Sequence, residues 1–140
     1  MFLAIDAADA VKTRLYLLDN NFVLNKKVEN ERRHNLSEKL LDDVDKLLKS
    51  GGANKKSILG IFVHRGPGSY TGLRIGLSTA NFIAYSLNVP IVGYEGDIEN
   101  DNIINKLRAA LERQGYGFKA SVVPFYKMPP HITKNKSCLT

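Results

Sequence analysis

Apolar residues along this 140-residue chain come as short continuous blocks of strand length and as longer stripes at helical spacing. Phe2–Ile5 and Arg14–Leu18 are such blocks, parted by Ala7-Ala8-Asp9-Ala10, and Asp19-Asn20-Asn21 is a turn signal before the loosely alternating Phe22–Val28. This predicts a three-stranded meander with the first strand buried and the others less so. Leu36, Leu40, Leu41, Val44, Leu47 and Leu48 then recur at three- and four-residue steps among Asp and Lys. They predict an amphipathic helix over Leu36–Lys49, capped by Asn35 with Glu38 three residues on and closed by Ser50-Gly51-Gly52. Ser57–His64 is almost wholly apolar, as a strand covered on both faces would be. A Gly66–Gly72 loop follows, then a helix capped by Thr71 and running to Leu87, and a second buried strand over Val89–Tyr94. Strand, helix and strand at this spacing make a right-handed βαβ unit with parallel strands. Asp97–Gln114 predicts a further helix and Ala120–Tyr126 a last strand, with irregular chain from Met128. The fold class is α/β with a mixed sheet.

The helix after the loop departs from ordinary amphipathic patterning. No charged residue occurs from Ile75 to Tyr94. Leu73, Leu77, Ala80, Ala84 and Leu87 form one apolar stripe, and Ile75, Thr79, Phe82, Ile83 and Ser86 form a second, largely apolar one. A helix apolar nearly all round needs covering on more than its core side. Gly76, Ala80 and Ala84 recur every fourth residue and would let another helix come close. Asn81, Asn88 and Pro90 interrupt the run and no basic flank follows, which argues against a membrane span. Little else in the chain can cover this helix, so the pattern predicts a protein partner. An open face of this kind favours a homodimer when the chain is alone.

Composition narrows the class. With 44% apolar and 24% charged residues the chain suits one globular domain, and neither disorder nor two full-sized lobes. A single cysteine, Cys138, excludes a disulfide frame and points to a reducing cytosol. The opening Met-Phe-Leu-Ala-Ile-Asp reaches an acid at once and does not read as a signal peptide, so a cytoplasmic location is expected. Charge is uneven: residues 1–105 balance, whereas residues 106–140 carry seven Lys+Arg against Glu112 alone. That segment suits RNA phosphate or an acidic partner, or is a solubilising tail.

Candidate chemistry concentrates in His64–Ala80. Gly66, Gly68 and Gly72 free the backbone, Pro67 stiffens it, Ser69 and Thr71 supply hydroxyls, and Tyr70 and Arg74 flank the helix start. A Gly-rich turn opening a helix can bind an anion through its free N–H groups, or can simply be a tight turn. It is not a Walker loop, since Leu73-Arg74 follow Gly72, and it lacks dinucleotide G-x-G-x-x-G spacing. His34, His64 and His131 lie in three segments without metal-ligand spacing. Asp6 and Asp9 read as turn caps, Ser69 has no nucleophile elbow, and Cys138 sits in a polar tail. No catalytic residue and no metal site are expected.

The run G-P-G-S-Y-T-G-L-R-I-G at Gly66–Gly76, with the opening L-A-I-D and the helix after R-R-H-N, resembles the TsaB (YeaZ, glycoprotease-like) family of bacterial tRNA threonylcarbamoyladenosine biosynthesis subunits. The likeness covers about residues 2–94, and P-F-Y-K-M-P-P-H-I-T-K near the end resembles the close of family members. The resemblance implies a single actin/hexokinase-like half (ASKHA, ribonuclease H-like) of β-β-β-α-β-α order. It implies residues 1–94 as the actin-like N-terminal domain, 95–126 as a reduced remnant of the second domain, and 127–140 as a basic C-terminal tail.

By the same resemblance the chain is a non-catalytic scaffold that docks to and activates a TsaD-type threonylcarbamoyltransferase. ATP and metal belong to that partner, a TsaE-type ATPase joins the assembly, and tRNA is met indirectly. Docking would use the two long helices through Leu40, Val44, Leu47, Leu73, Gly76, Leu77, Thr79, Ala80, Phe82, Ile83, Ala84 and Leu87. Where the family opens Asp-Thr-Ser or Asp-Thr-Ala, this chain has Asp6-Ala7-Ala8 and so lacks the hydroxyl of a phosphate loop. The alternatives are a minimal ATPase or small-molecule kinase built on Gly66–Gly72 and Asp6, and a basic tRNA-binding accessory module. In both, this chain itself holds the ligand.

Overall fold

A computed structural model describes residues 1–31 and 36–125. Its elements are β1 (Phe2–Asp6), β2 (Lys12–Leu18), β3 (Leu24–Glu31), α1 (Leu36–Ser50), β4 (Gly60–His64), α2 (Tyr70–Leu87), β5 (Ile91–Tyr94) and α3 (Asp101–Gln114). The five strands form one sheet in the order β3-β2-β1-β4-β5. β1–β2 and β2–β3 are antiparallel, whereas β1–β4 and β4–β5 are parallel. The mixed α/β sheet and the β-β-β-α-β-α order are therefore as the sequence predicts. The expectations for Asn35, His34, His131, Cys138 and residues 127–140 lie outside the described residues.

Strand alternation divides the core into two layers. Leu3, Ile5, Leu15, Leu17, Ile61, Val63 and Ile91 face α1 and α2 and join Leu40, Leu47, Leu73 and Leu77 in one apolar cluster. Phe2, Ala4, Tyr16, Leu18, Phe62, Val92 and Tyr94 face the other way, toward Ile98 and Leu107 of the α3 side. Each large side chain fully buried here stabilises the fold by roughly 1.5–3 kcal/mol. The second layer has an aromatic seam: Phe2 stacks on Phe22 at 4.5 Å and on Phe62 at 5.6 Å. Arg108 of α3 closes the seam with its guanidinium 4.7 Å from the Phe22 ring. Thus the 95–126 stretch supplies a helix that packs on this same sheet. β3, at the edge, is mostly exposed, and its Lys26, Lys27, Glu29 and Glu31 suit an unpaired sheet margin.

Several elements correct the sequence reading. β3 runs over Leu24–Glu31 and not Phe22–Val28, since Phe22 lies in a turn at φ +64°. Ser57 ends a 3-10 turn before β4. Ser69, not Thr71, caps α2, its hydroxyl accepting from the Gly72 N–H at 3.3 Å. α3 begins at Asp101 because Asp97 and Asn100 each accept a backbone N–H two residues on and hold a turn first. The expected strand over Ala120–Tyr126 does not form among its described residues. Val122 instead exchanges both backbone hydrogen bonds with the side-chain amide of Asn81, at 2.9 and 2.8 Å. A side chain takes the place of a neighbouring strand.

Candidate functional site

The Gly-rich turn joins the C-terminal end of β4 to α2, and its polar groups are largely used by the protein itself. Gly66 N–H donates to His64 Nδ1 at 3.0 Å, Ser69 N–H to the Ala8 carbonyl at 2.7 Å, and Leu73 N–H to the Ser69 carbonyl at 2.8 Å. Gly66 has a φ of +111°, and a Cβ on Gly68 would lie 2.7 Å from the Ala8 Cβ. Glycine is thus required at the first position by conformation and at the second by close approach. Pro67 follows a cis peptide bond. The turn rests against Ala8, in the loop that follows β1.

The acids beside it cap turns. Asp6 Oδ1 accepts from the Ala8 N–H at 3.0 Å, and Asp9 Oδ1 accepts from the Val11 and Lys12 N–H groups at 2.7 and 3.3 Å. Those backbone donors hold the Asp9 carboxyl below its usual range. A polar cavity of about 410 Å³ opens beside Asp6, lined by Arg14, Tyr16, Lys27, Glu29, Asp97 and Glu99. Its cations already have partners: Arg14 meets Glu29 at 2.9 Å and Asp9 at 3.4 Å, and Lys27 meets Glu99 at 2.7 Å. Burial first, and the Asp6 charge second, push the Tyr16 and Tyr94 hydroxyls well above the ordinary tyrosine range. Among the described residues no three His, Cys, Asp or Glu side chains gather as a metal-holding group, and no helix is long and apolar enough to cross a membrane.

The structure separates the proposed docking residues into two sets. Leu40, Val44, Leu47, Leu73, Gly76, Leu77, Ala80 and Ala84 are buried within the protein's own core. Gly76 of the small-residue stripe receives the sheet loop, since a Cβ there would lie 2.9 Å from the Ala7 Cβ. Thr79, Ile83 and Leu87 are half-buried, and Phe82 is 59% exposed. Phe82, Ile83 and Leu87 line an apolar groove of about 380 Å³ with Leu41, Leu48 and Ile58, rimmed by Asp42, Asp45 and Lys55. Leu41, Leu48 and Ile58 are groove residues outside the docking set, and of these Leu41, on the apolar stripe of α1, is 45% exposed. In the motif turn Pro67, Gly68, Tyr70, Thr71 and Arg74 are exposed, whereas Gly66 and Gly72 are buried.

Comparison with known proteins aligns with this geometry. Residues 22–95, just over half of the chain, match the family described as TsaD, tRNA N6-adenosine threonylcarbamoyltransferase. The tRNA threonylcarbamoyladenosine biosynthesis protein TsaB of Bacillus subtilis is 39% identical over 59 residues, 42% of this chain and 26% of that protein. The tRNA N6-adenosine threonylcarbamoyltransferase of Geotalea daltonii is 42% identical over 50 residues, 36% of this chain and 15% of the relative. Against these curated relatives, the matched stretch spans about a quarter of their length or less. The structure of YeaZ from Pseudomonas aeruginosa superposes with a TM-score of 0.60 at 24% identity, over 67% of this chain and 43% of that one. That likeness concerns the fold.

Proposed function

The chain belongs to the TsaD family and is TsaB/YeaZ-like within it, and from that premise we propose that it is a non-catalytic scaffold subunit in tRNA threonylcarbamoyladenosine formation. In this reading it docks to a TsaD-type threonylcarbamoyltransferase and activates it, while ATP and metal sit in that partner. The observation that carries the reading is the outward apolar face of α2 beside the α1 groove. Phe82 is largely exposed there, and α2 carries no charge after Arg74. A solvated helix face would ordinarily bear Lys and Glu, so this one suits burial against another protein.

The motif turn supports the non-catalytic part. Its Gly66, Ser69 and Gly72 N–H groups bond within the chain, and Asp6 caps the adjoining loop. Neither arrangement favours holding a nucleotide phosphate.

Tagged chain should capture the transferase subunit, and Phe82→Arg should lose it with an unchanged melting temperature. Retention by Phe82→Arg would count against this face. Ala80→Arg is a poor probe, because Ala80 is wholly buried and its replacement would unfold the core. Calorimetry of the isolated chain with Mg-ATP should give no binding heat; heat abolished by Asp6→Ala would favour the small ATPase or kinase alternative. Without the transferase the same face is expected to pair two copies of the chain.

A further inference from the structure

The exposed aromatic side chains among the described residues are Tyr70, Phe82, Tyr85, Tyr116 and Phe125, and all lie on α2 or the segment after α3. Phe82 belongs to the groove face. Tyr70, Tyr85 and Phe125 border a separate strip, where residues 117–125 run back along the opposite flank of α2. That segment is anchored at three points. Phe118 N–H donates to Asn88 Oδ1 at 3.0 Å, Val122 pairs with the Asn81 amide, and Phe125 N–H donates to the Arg65 carbonyl at 2.7 Å.

Rings and cations interleave along this strip. At one end the Arg74 guanidinium sits 5.6 Å from the Tyr70 ring and that of Arg65 5.9 Å from the Phe125 ring. At the other, Tyr85 meets Phe118 edge-on at 5.5 Å. Lys119, next to Phe118 in sequence, is exposed. The nearby acid is Glu95, 3.7 Å from Arg65. No Asp or Glu follows Glu112, whereas Arg113, Lys119, Lys127, Lys134 and Lys136 do. At 1.5 Å per residue, Tyr70 and Tyr85 stand roughly 22 Å apart, enough for about four nucleotides.

A protein partner is best met by a continuous apolar patch, as at the α1 groove. Spaced rings parted by guanidinium groups match a different ligand, whose flat bases stack on the rings while its phosphates meet the cations. Folded RNA presents unpaired bases in loops, whereas duplexes hide theirs. We propose that the flank bearing Tyr70, Arg74 and Tyr85, with the 117–125 segment, binds an unpaired stretch of RNA directly. This goes beyond the scaffold reading, in which tRNA is met only through the transferase.

Fluorescence anisotropy of the full chain with a labelled RNA hairpin, and with a loopless duplex of similar length, tests the idea. The hairpin should bind more tightly. With three cations engaged, its affinity should fall roughly twentyfold between about 50 and 200 mM salt. Tyr85→Ala should weaken binding at least about fivefold, and Arg74→Glu should also flatten the salt dependence. Both replace exposed residues, and unchanged melting temperatures would verify folding. Duplex preferred over hairpin, or hairpin binding unaltered by both variants, would overturn the proposal. So would loss of transferase capture by these variants with RNA binding intact, which would make the strip a protein surface. Phe82→Arg should keep RNA binding, so this proposal and the docking reading can fail separately.

Discussion

α1 and α2 cover the same face of the sheet yet treat water in opposite ways. α1 buries Leu36, Leu40, Val44, Leu47 and Leu48, and the rest of its surface is mainly charged or polar, with Leu41 the exception. α2 buries Leu73, Leu77, Ala80 and Ala84 just as fully, then presents Phe82 and Tyr85 outward with no charge beyond Arg74. The first helix is explained by this protein's own core. The second is only half explained by it. Apolar periodicity alone does not say which stripe a partner could cover; filling the core leaves the outward stripe as the one open to it.

That contrast can be strained where effects are largest. Leu40→Ala and Leu77→Ala should each cost about 2–5 kcal/mol in denaturant unfolding, since both side chains are buried. Phe82→Ser should change stability by no more than about 0.5 kcal/mol. Equal costs at the inward and outward positions would erase the distinction between the two stripes. Gly76→Ala should follow at roughly 1–3 kcal/mol, because the new methyl would crowd Ala7.

Asn81→Ala removes the partner of the Val122 N–H and C=O together and should cost about 1–2 kcal/mol. Faster amide exchange at Val122 and Phe125, with little change at Leu73, would locate that loss in the strap along α2.

The smallest effect concerns the sheet's other face. Tyr94 Oη is buried without a hydrogen-bond partner among the described residues, so Tyr94→Phe should be neutral or stabilising by up to about 1 kcal/mol at neutral pH. Tyr16 and Tyr94 keep their protons in the folded state above the pH at which the unfolded chain releases them. The unfolded state then binds fewer protons, so stability present below about pH 10 falls as pH rises past it, by up to about 1.4 kcal/mol per unit for each tyrosine. Urea unfolding from pH 9 to 11 should have a flatter alkaline limb in Tyr94→Phe.

Much of the fold was legible because local patterns and tertiary packing agree. Continuous apolar blocks became the parallel strands β1, β4 and β5, and the Leu36–Leu48 stripe became α1. Two features were not legible. The 120–125 segment has strand composition, but Val122 at its middle pairs with the side chain of Asn81, some forty residues earlier. The small-residue stripe of α2 reads as a helix-packing seam, yet Gly76 accommodates Ala7 of the β1–β2 loop. In both cases a contact distant in sequence decided between local readings of equal merit. The exposed ring of Phe82 was visible in the second stripe, but only the filled core distinguishes it from Ala80.

The outward face of α2 is the assigned docking surface, and the dissociation constant for the purified transferase subunit tests it most directly. Wild-type chain and Phe82→Arg would be titrated in parallel by calorimetry, with melting curves beside them. A buried aromatic anchor contributes about 2 kcal/mol or more, so Phe82→Arg should raise the constant at least about thirtyfold while melting as the wild type does. Equal constants for the two proteins would mean that the transferase is held elsewhere, and the docking assignment would be wrong.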